Sequence, residues 1–135
     1  LTADHGMINV GRKVILGEVN NLLEGVELIA GEPRARHLYL ADDSQGARED
    51  LAGCWREYLG ADAIVHTREE IVSNSLFGDL TEDATDRMGD VIAIAQNETV
   101  LIDPERVTLE GAMVGHHGAQ TDAEQFVPLM NRVVS

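Results

Sequence analysis

Residues 47–59 constrain this chain more than any other stretch. Leu51, Cys54, Trp55, Tyr58 and Leu59 recur at three- and four-residue spacing, so they share one face of a helix. Arg48, Glu49, Asp50 and Arg56 fall mostly off that stripe, and Gly60 is placed to end the helix. On both sides the pattern changes to that of strands. Residues 26–30 and 36–40 read as two strands joined through the turn Gly31-Glu32-Pro33-Arg34, a hairpin whose loop is expected to exceed two residues. Ala63-Ile64-Val65-His66 reads as a buried strand and Val91-Ile92-Ala93-Ile94-Ala95 as a stronger one. Thr99-Val100-Leu101-Ile102 is a weaker strand, expected to partner it across Gln96-Asn97-Glu98. Strands and helices therefore mix in one layer system, and the fold class is mixed α/β.

Local signals fill in the remainder. Lys13-Val14-Ile15-Leu16 is a short apolar run, an edge strand or part of a loop. Thr67 stands three residues ahead of Glu70, a capping box that predicts a helix to about Ser73, and Thr121 with Glu124 offers a second box. Residues 74–90 are polar, acidic and broken by two glycines, which predicts mainly loop. Pro128 bars a long terminal helix and pushes Val127 toward extended geometry, so one helical turn over 122–126 and an extended 127–134 are expected. Nothing requires two domains: residues 1–135 read as one domain or as a segment of a larger one, with 26–103 as a structural middle.

Charge narrows the partners. The chain carries 24 acidic residues against 10 basic ones, a net charge of -14, so a nucleic acid duplex or an anionic membrane meets a repulsive field. No apolar run approaches the length of a membrane span. A compact anionic substrate is compatible with this field if bound metal ions reverse it locally. Residues 1–20 show no basic start followed by a long apolar run, and cytoplasmic and exported locations both stay open.

Two stretches carry candidate chemistry. Asp4-His5-Gly6-Met7 sets a carboxylate and an imidazole side by side, ahead of a glycine that frees the backbone to turn. That donor pair suits zinc or manganese, although spacing alone also fits a polar turn. Gly115-His116-His117-Gly118 presents two imidazoles among glycines, of which one would ligate while the other packs; an ordinary glycine-rich loop explains the same letters. The other candidates are simpler to read structurally. His37 and His66 belong to strands, Asp42-Asp43 to a solvated loop and Trp55 to the core. Cys54 has no neighbouring histidine to activate it. Asn97-Glu98-Thr99 matches a glycosylation acceptor, a three-residue pattern that arises often by chance.

Taken together, the motifs resemble the alkaline phosphatase superfamily, in its type I phosphodiesterase and nucleotide pyrophosphatase branch, with phosphonoacetate hydrolase as a relative. Thr2-Ala3-Asp4-His5-Gly6-Met7 is similar to that branch's Asp-His-Gly-Met metal motif. Gly115-His116-His117-Gly118, followed by Thr121 through Glu124 and by Val127-Pro128-Leu129, is similar to its closing segment. Gly31-Glu32-Pro33-Arg34, Arg36-His37-Leu38-Tyr39 and Leu76-Phe77-Gly78 are similar in flavour to bacterial members. The resemblance runs across essentially the whole chain.

What it implies is an alkaline-phosphatase-like C-terminal portion of a two-metal hydrolase acting on phosphodiester or nucleotide pyrophosphate bonds. Phosphomonoesters and phosphonates are compatible alternatives, and a non-catalytic fragment without metal is the reading from another class. The resemblance makes Asp4 and His5 ligands of one divalent ion, zinc or manganese, and His117 a ligand of a second, with His116 in support. It also implies a nucleophile and further ligands upstream, so the missing N-terminal half is the expected partner and residues 1–135 alone are expected to be inactive. The substrate is expected to be a small phosphate ester or nucleotide.

Overall fold

The computed structural model describes residues 1–17 and 21–132. The chain opens with two short strands, β1 (Ile8–Asn9) and β2 (Arg12–Ile15), and then forms the hairpin of β3 (Val26–Glu32) and β4 (Ala35–Leu40). Helix α1 (Gln45–Leu59) follows, then β5 (Ala63–Thr67), α2 (Arg68–Ser73) and α3 (Glu82–Asp86). The rest comprises β6 (Val91–Ala95), β7 (Thr99–Ile102), α4 (Val107–Glu110), β8 (Gly115–His116) and α5 (Asp122–Gln125). Four strands form one antiparallel sheet in the order β3-β4-β6-β5. No described helix is long and apolar enough to cross a membrane.

Strand β6 explains why its sequence is an unbroken apolar run. It lies between β4 and β5, and both faces of the sheet are covered there. Val91, Ala93 and Ala95 join a cluster with Leu38, Leu51, Trp55 and Leu59, whereas Ile92 and Ile94 join Ile71, Met88 and Ala119 on the other side. Alternation along a strand sends successive side chains to opposite faces, so a strand buried on both shows no polar beat. Because β6 already has two neighbours, β7 cannot pair with it. This corrects the expected β6–β7 partnership: the turn at 96–98, with Asn97 at φ +50°, carries β7 away to lie parallel to β2. Gly11 and Arg12 both donate their backbone N–H to the Glu98 carbonyl at 2.9 and 3.1 Å, which starts that pairing.

The hairpin is tighter than its sequence suggested. Glu32 pairs with Ala35, so only Pro33 and Arg34 lie in the connection. Gly31 makes this possible, since it sits at φ +81° and a Cβ there would come within 2.3 Å of the Ala35 carbonyl.

Helix α1 begins at Ser44, whose side chain accepts the Ala47 N–H at 3.3 Å, and ends at Gly60. Leu51, Ala52, Trp55 and Leu59 are buried, and the Trp55 indole donates to the Leu22 carbonyl at 2.7 Å. Three expected core members lie outside this packing: Cys54 on α1 is exposed, as are Tyr58 and Ile64. Tyr58 and Ile64 are 41% and 48% exposed, because Tyr58 flanks the stripe's centre and Ile64 points outward from β5.

The Thr67–Glu70 capping box is formed in full. The second box is not: the Thr121 hydroxyl turns to the Glu124 carboxylate at 2.5 Å, and Glu124 itself points inward. Residues 74–90 are not all loop, since Thr81 caps α3 through the Ala84 N–H at 3.3 Å and Glu82 and Asp83 favour its first turn. After α5 the chain leaves helical geometry at Phe126, and residues 127–132 form neither helix nor strand. Val133 and Val134, the end of the expected extended stretch, lie outside the described residues.

Candidate functional site

The two histidine motifs meet. Strands β1 and β8 pair antiparallel, with Ile8 opposite His116 and Asn9 opposite Gly115. Val10 donates to the Val114 carbonyl at 2.9 Å and Gly6 to the Glu124 carbonyl at 2.8 Å, extending the contact on both sides. The result is a stacked pair: the His5 and His117 rings lie 3.6 Å apart between centroids, with their planes 15° from parallel.

Gly6 serves this junction in a way its sequence context did not suggest. Its φ is not in the left-handed region; its role is close approach, since a Cβ there would fall 1.9 Å from the Ala123 carbonyl oxygen. Gly118, by contrast, does require the left-handed region, at φ +123°, where the chain turns after His117.

Asp4 is exposed, and its carboxylate lies 3.8 Å from the His5 Nε2. Its own backbone N–H, then the His5 imidazole and the His5 N–H, hold this carboxyl below the ordinary range. It is therefore ionised at neutral pH. The His5 Nδ1 is 2.8 Å from the Gly6 carbonyl, which can only accept, so Nδ1 carries a proton. Metal-ligating histidines are commonly oriented by such a bond from one ring N–H to a backbone carbonyl.

The donor set of one carboxylate and two imidazoles thus fits zinc or manganese. Among the described residues no three His, Cys, Asp or Glu side chains gather around one point, so these residues close no metal site by themselves.

The remaining histidines do other work. His116 is buried, with Nε2 3.0 Å from the Glu110 carbonyl. His37 is half-buried and its Nδ1 accepts the Gly89 N–H at 3.2 Å; burial pushes its pKa down. His66 lies half-buried on β5, 3.6 Å from the Glu70 carboxylate. Asp42 and Asp43 are exposed, and Asp42 accepts the Ser44 N–H at 3.0 Å ahead of α1.

Sequence reasoning missed the residues that hold the His117 loop in place. Arg34 is fully buried and forms a two-point pair with Glu124, Nε to Oε1 at 3.1 Å and Nη2 to Oε2 at 2.8 Å. Arg36 is buried against Glu110, with its Nε on the Leu101 carbonyl at 2.9 Å. The loop that carries His117 therefore runs between two acids, each tied to the hairpin by an arginine. A signal was present: Arg36, Leu38 and Leu40 alternate on one face of a strand, and an arginine on an inward face needs a buried acid.

This architecture is alkaline-phosphatase-like. Murine ectonucleotide pyrophosphatase/phosphodiesterase 5 matches 92% of the chain with a TM-score of 0.65 at 16% identity. The human counterpart matches 91% with a TM-score of 0.63 at 13% identity. Phosphonoacetate hydrolase from Sinorhizobium meliloti 1021, in complex with phosphonoformate, matches 94% with a TM-score of 0.62 at 21% identity. The chain covers 31%, 30% and 34% of these structures in turn, about a third of their length. Identities this low establish a shared fold. No family model matches the chain, and no curated protein matches it.

Proposed function

We propose that this chain supplies part of the metal centre of a phosphoester hydrolase, acting on phosphodiester or nucleotide pyrophosphate bonds in the complete enzyme. The observation that carries this reading is the stacking of His5 on His117 beside the ionised Asp4, on an alkaline-phosphatase-like scaffold. In this reading Asp4 and His5 hold one divalent cation, zinc or manganese, and His117 holds a second. Two such ions, when bound, neutralise phosphoryl oxygens and activate an oxygen nucleophile.

The chain's own residues orient and charge the site. Gly6 lets the Asp4-His5 arm lie flat on α5, and the Gly6 carbonyl directs the His5 Nε2 outward by holding Nδ1. Asp4 contributes negative charge at neutral pH, which favours cation occupancy. The remaining ligands and the nucleophile come, in this reading, from parts of the complete enzyme other than residues 1–135. Phosphonate hydrolysis is the second reading, favoured by the likeness to phosphonoacetate hydrolase at 21% identity.

The test combines metal counting with turnover of bis(p-nitrophenyl) phosphate and of a phosphonate panel by the intact protein. Two equivalents of zinc or manganese are expected in the wild type. His117→Ala should lose one equivalent and at least about 100-fold in turnover, since even residues behind a ligand cost about 10–100-fold. His37→Ala and His66→Ala should stay near wild type. Diesterase turnover that survives both His5→Ala and His117→Ala would overturn the assignment.

A further inference from the structure

We infer that Glu124 is a positioning residue that sets the Asp4-His5 arm against His117, with Arg34 fixing it to the sheet. The inference rests on the metal-centre reading for its functional meaning, but its geometry stands apart from it. Glu124 is 2% exposed, and its carboxylate accepts four hydrogen bonds. Oε1 takes the Arg34 Nε at 3.1 Å and the Ala119 backbone N–H at 3.0 Å. Oε2 takes the Arg34 Nη2 at 2.8 Å and the Thr121 hydroxyl at 2.5 Å. Four donors fill the capacity of a carboxylate.

Two of this residue's bonds reach the two histidine motifs. Ala119 lies two residues beyond His117, joined through the left-handed Gly118. Glu124's backbone carbonyl accepts the Gly6 N–H at 2.8 Å, one residue beyond His5. A single side chain and its own carbonyl therefore hold both arms. Their frame of reference is the sheet: Arg34, at the hairpin tip, also donates Nη1 to the Thr99 carbonyl at 2.6 Å and the Gln96 carbonyl at 3.3 Å. Charge-assisted, two-point bonds fix angle as well as distance, which apolar packing does not.

Glutamine at this position keeps the shape but presents one oxygen where the site needs two. In either orientation its NH₂ group would face an Arg34 N–H, and in one of them the Ala119 N–H as well, groups that can only donate. Gly6 would keep its bond to the backbone carbonyl of residue 124, but that residue would no longer be fixed to the hairpin or the Ala119 loop, while α1 and the apolar cores stay intact.

The experiment uses the intact protein, stripped of metal by chelation, and compares Glu124→Gln and Arg34→Lys with Leu51→Ala, a destabilising change in the apolar core. Two quantities are read on folded protein: the proton NOE between the His5 and His117 rings, and zinc affinity by competition with a chromophoric chelator. Glu124→Gln is expected to abolish the NOE and to weaken zinc binding at least about tenfold. Arg34→Lys, which keeps the charge but loses the fork, decides the matter if Glu124→Gln does not fold. Leu51→Ala should lower the melting temperature and leave both readouts unchanged. Retention of the NOE and of wild-type zinc affinity in the glutamine or lysine variant would overturn the inference, as would their equal loss in Leu51→Ala. If the wild type binds no zinc, the metal-centre reading fails, and the NOE alone decides the role of Glu124.

Discussion

The α1 side of the sheet and the hairpin tip are both deeply buried, yet they are built from opposite materials. Under α1, Trp55 and Leu38 are fully buried among Leu51, Leu59, Val65 and Val91, with the indole N–H bond inside the layer and the buried Asp90, paired with Arg68 and 3.6 Å from Arg48 of α1, beside it. At the hairpin tip the largest buried side chains are Arg34 and Arg36, each facing a carboxylate. Apolar burial is strong but non-directional, and it holds a layer together without fixing where a distant loop lies. Buried ion pairs add little net stability, because desolvation offsets most of their attraction, but they tolerate almost no misplacement. The difference teaches a division of labour: stability resides mainly in the first region and site geometry in the second.

That division can be broken by substitution. Trp55→Ala should cost about 3–5 kcal/mol in equilibrium denaturation, from lost burial and the cavity left behind. Zinc affinity per folded molecule should stay within about twofold, well under the tenfold that losing a second-shell contact can cost; a larger fall would mean that the apolar side also sets the site.

Acid should act in the reverse sense. Burial pushes the Glu124 carboxyl up, but Arg34, the Thr121 hydroxyl and the Ala119 N–H bring it down to about 2, from an ordinary 4.5. A folded pKa below the unfolded one means stability that is present above about pH 4.5 and lost as pH falls toward 2. Relative to the protonated carboxyl, the ionised form is favoured by on the order of 3 kcal/mol, a difference between protonation states and not the net worth of the pair against apolar packing. Denaturant midpoints measured from pH 6 to pH 3 should therefore fall more steeply in wild type than in Glu124→Gln, and parallel curves would contradict the role of the pair.

Gly6→Ala sharpens the comparison at the junction itself. The added methyl meets the Ala123 carbonyl, so the arm must lift, at about 1–3 kcal/mol. Zinc affinity should fall here although no core residue changes; unchanged affinity would show that the arm need not lie on α5. The smallest effect is expected at Tyr58→Ser, within about 0.5 kcal/mol, because Tyr58 is exposed on the flank of α1.

Legibility in the sequence followed the same division. The α1 stripe, the β6 run and the Thr67–Glu70 box were readable because each rests on periodicity or on contacts within a few residues. The β3–β4 hairpin was readable too, but the partner of β7 was not, because β7 turns to β2 only once β6 is seen to have both edges occupied. In the site, Asp4, His5 and His117 stood out as letters through their motifs. What brings them together did not, since Arg34 looked like a turn residue and Glu124 like a helix cap. Both side chains are committed to partners far away in the chain, and no local pattern encodes that.

The β1–β8 and β2–β7 pairings have a consequence in time. They join the start of the chain to its last third, whereas the β3–β4 hairpin and α1 close only short loops. Closing a long loop costs more entropy and is slower, so the contacts that bring His5 to His117 are expected to form after the hairpin and helix. The same contacts rest on two-residue strands at the periphery, and such segments open first in the native state. In hydrogen exchange the amides of Gly6 and Val10 should therefore lose protection well before that of Ile92. The histidine pair would be the last part of the molecule to assemble and the first to come undone, so cation occupancy would act on its lifetime more than on that of the sheet behind it.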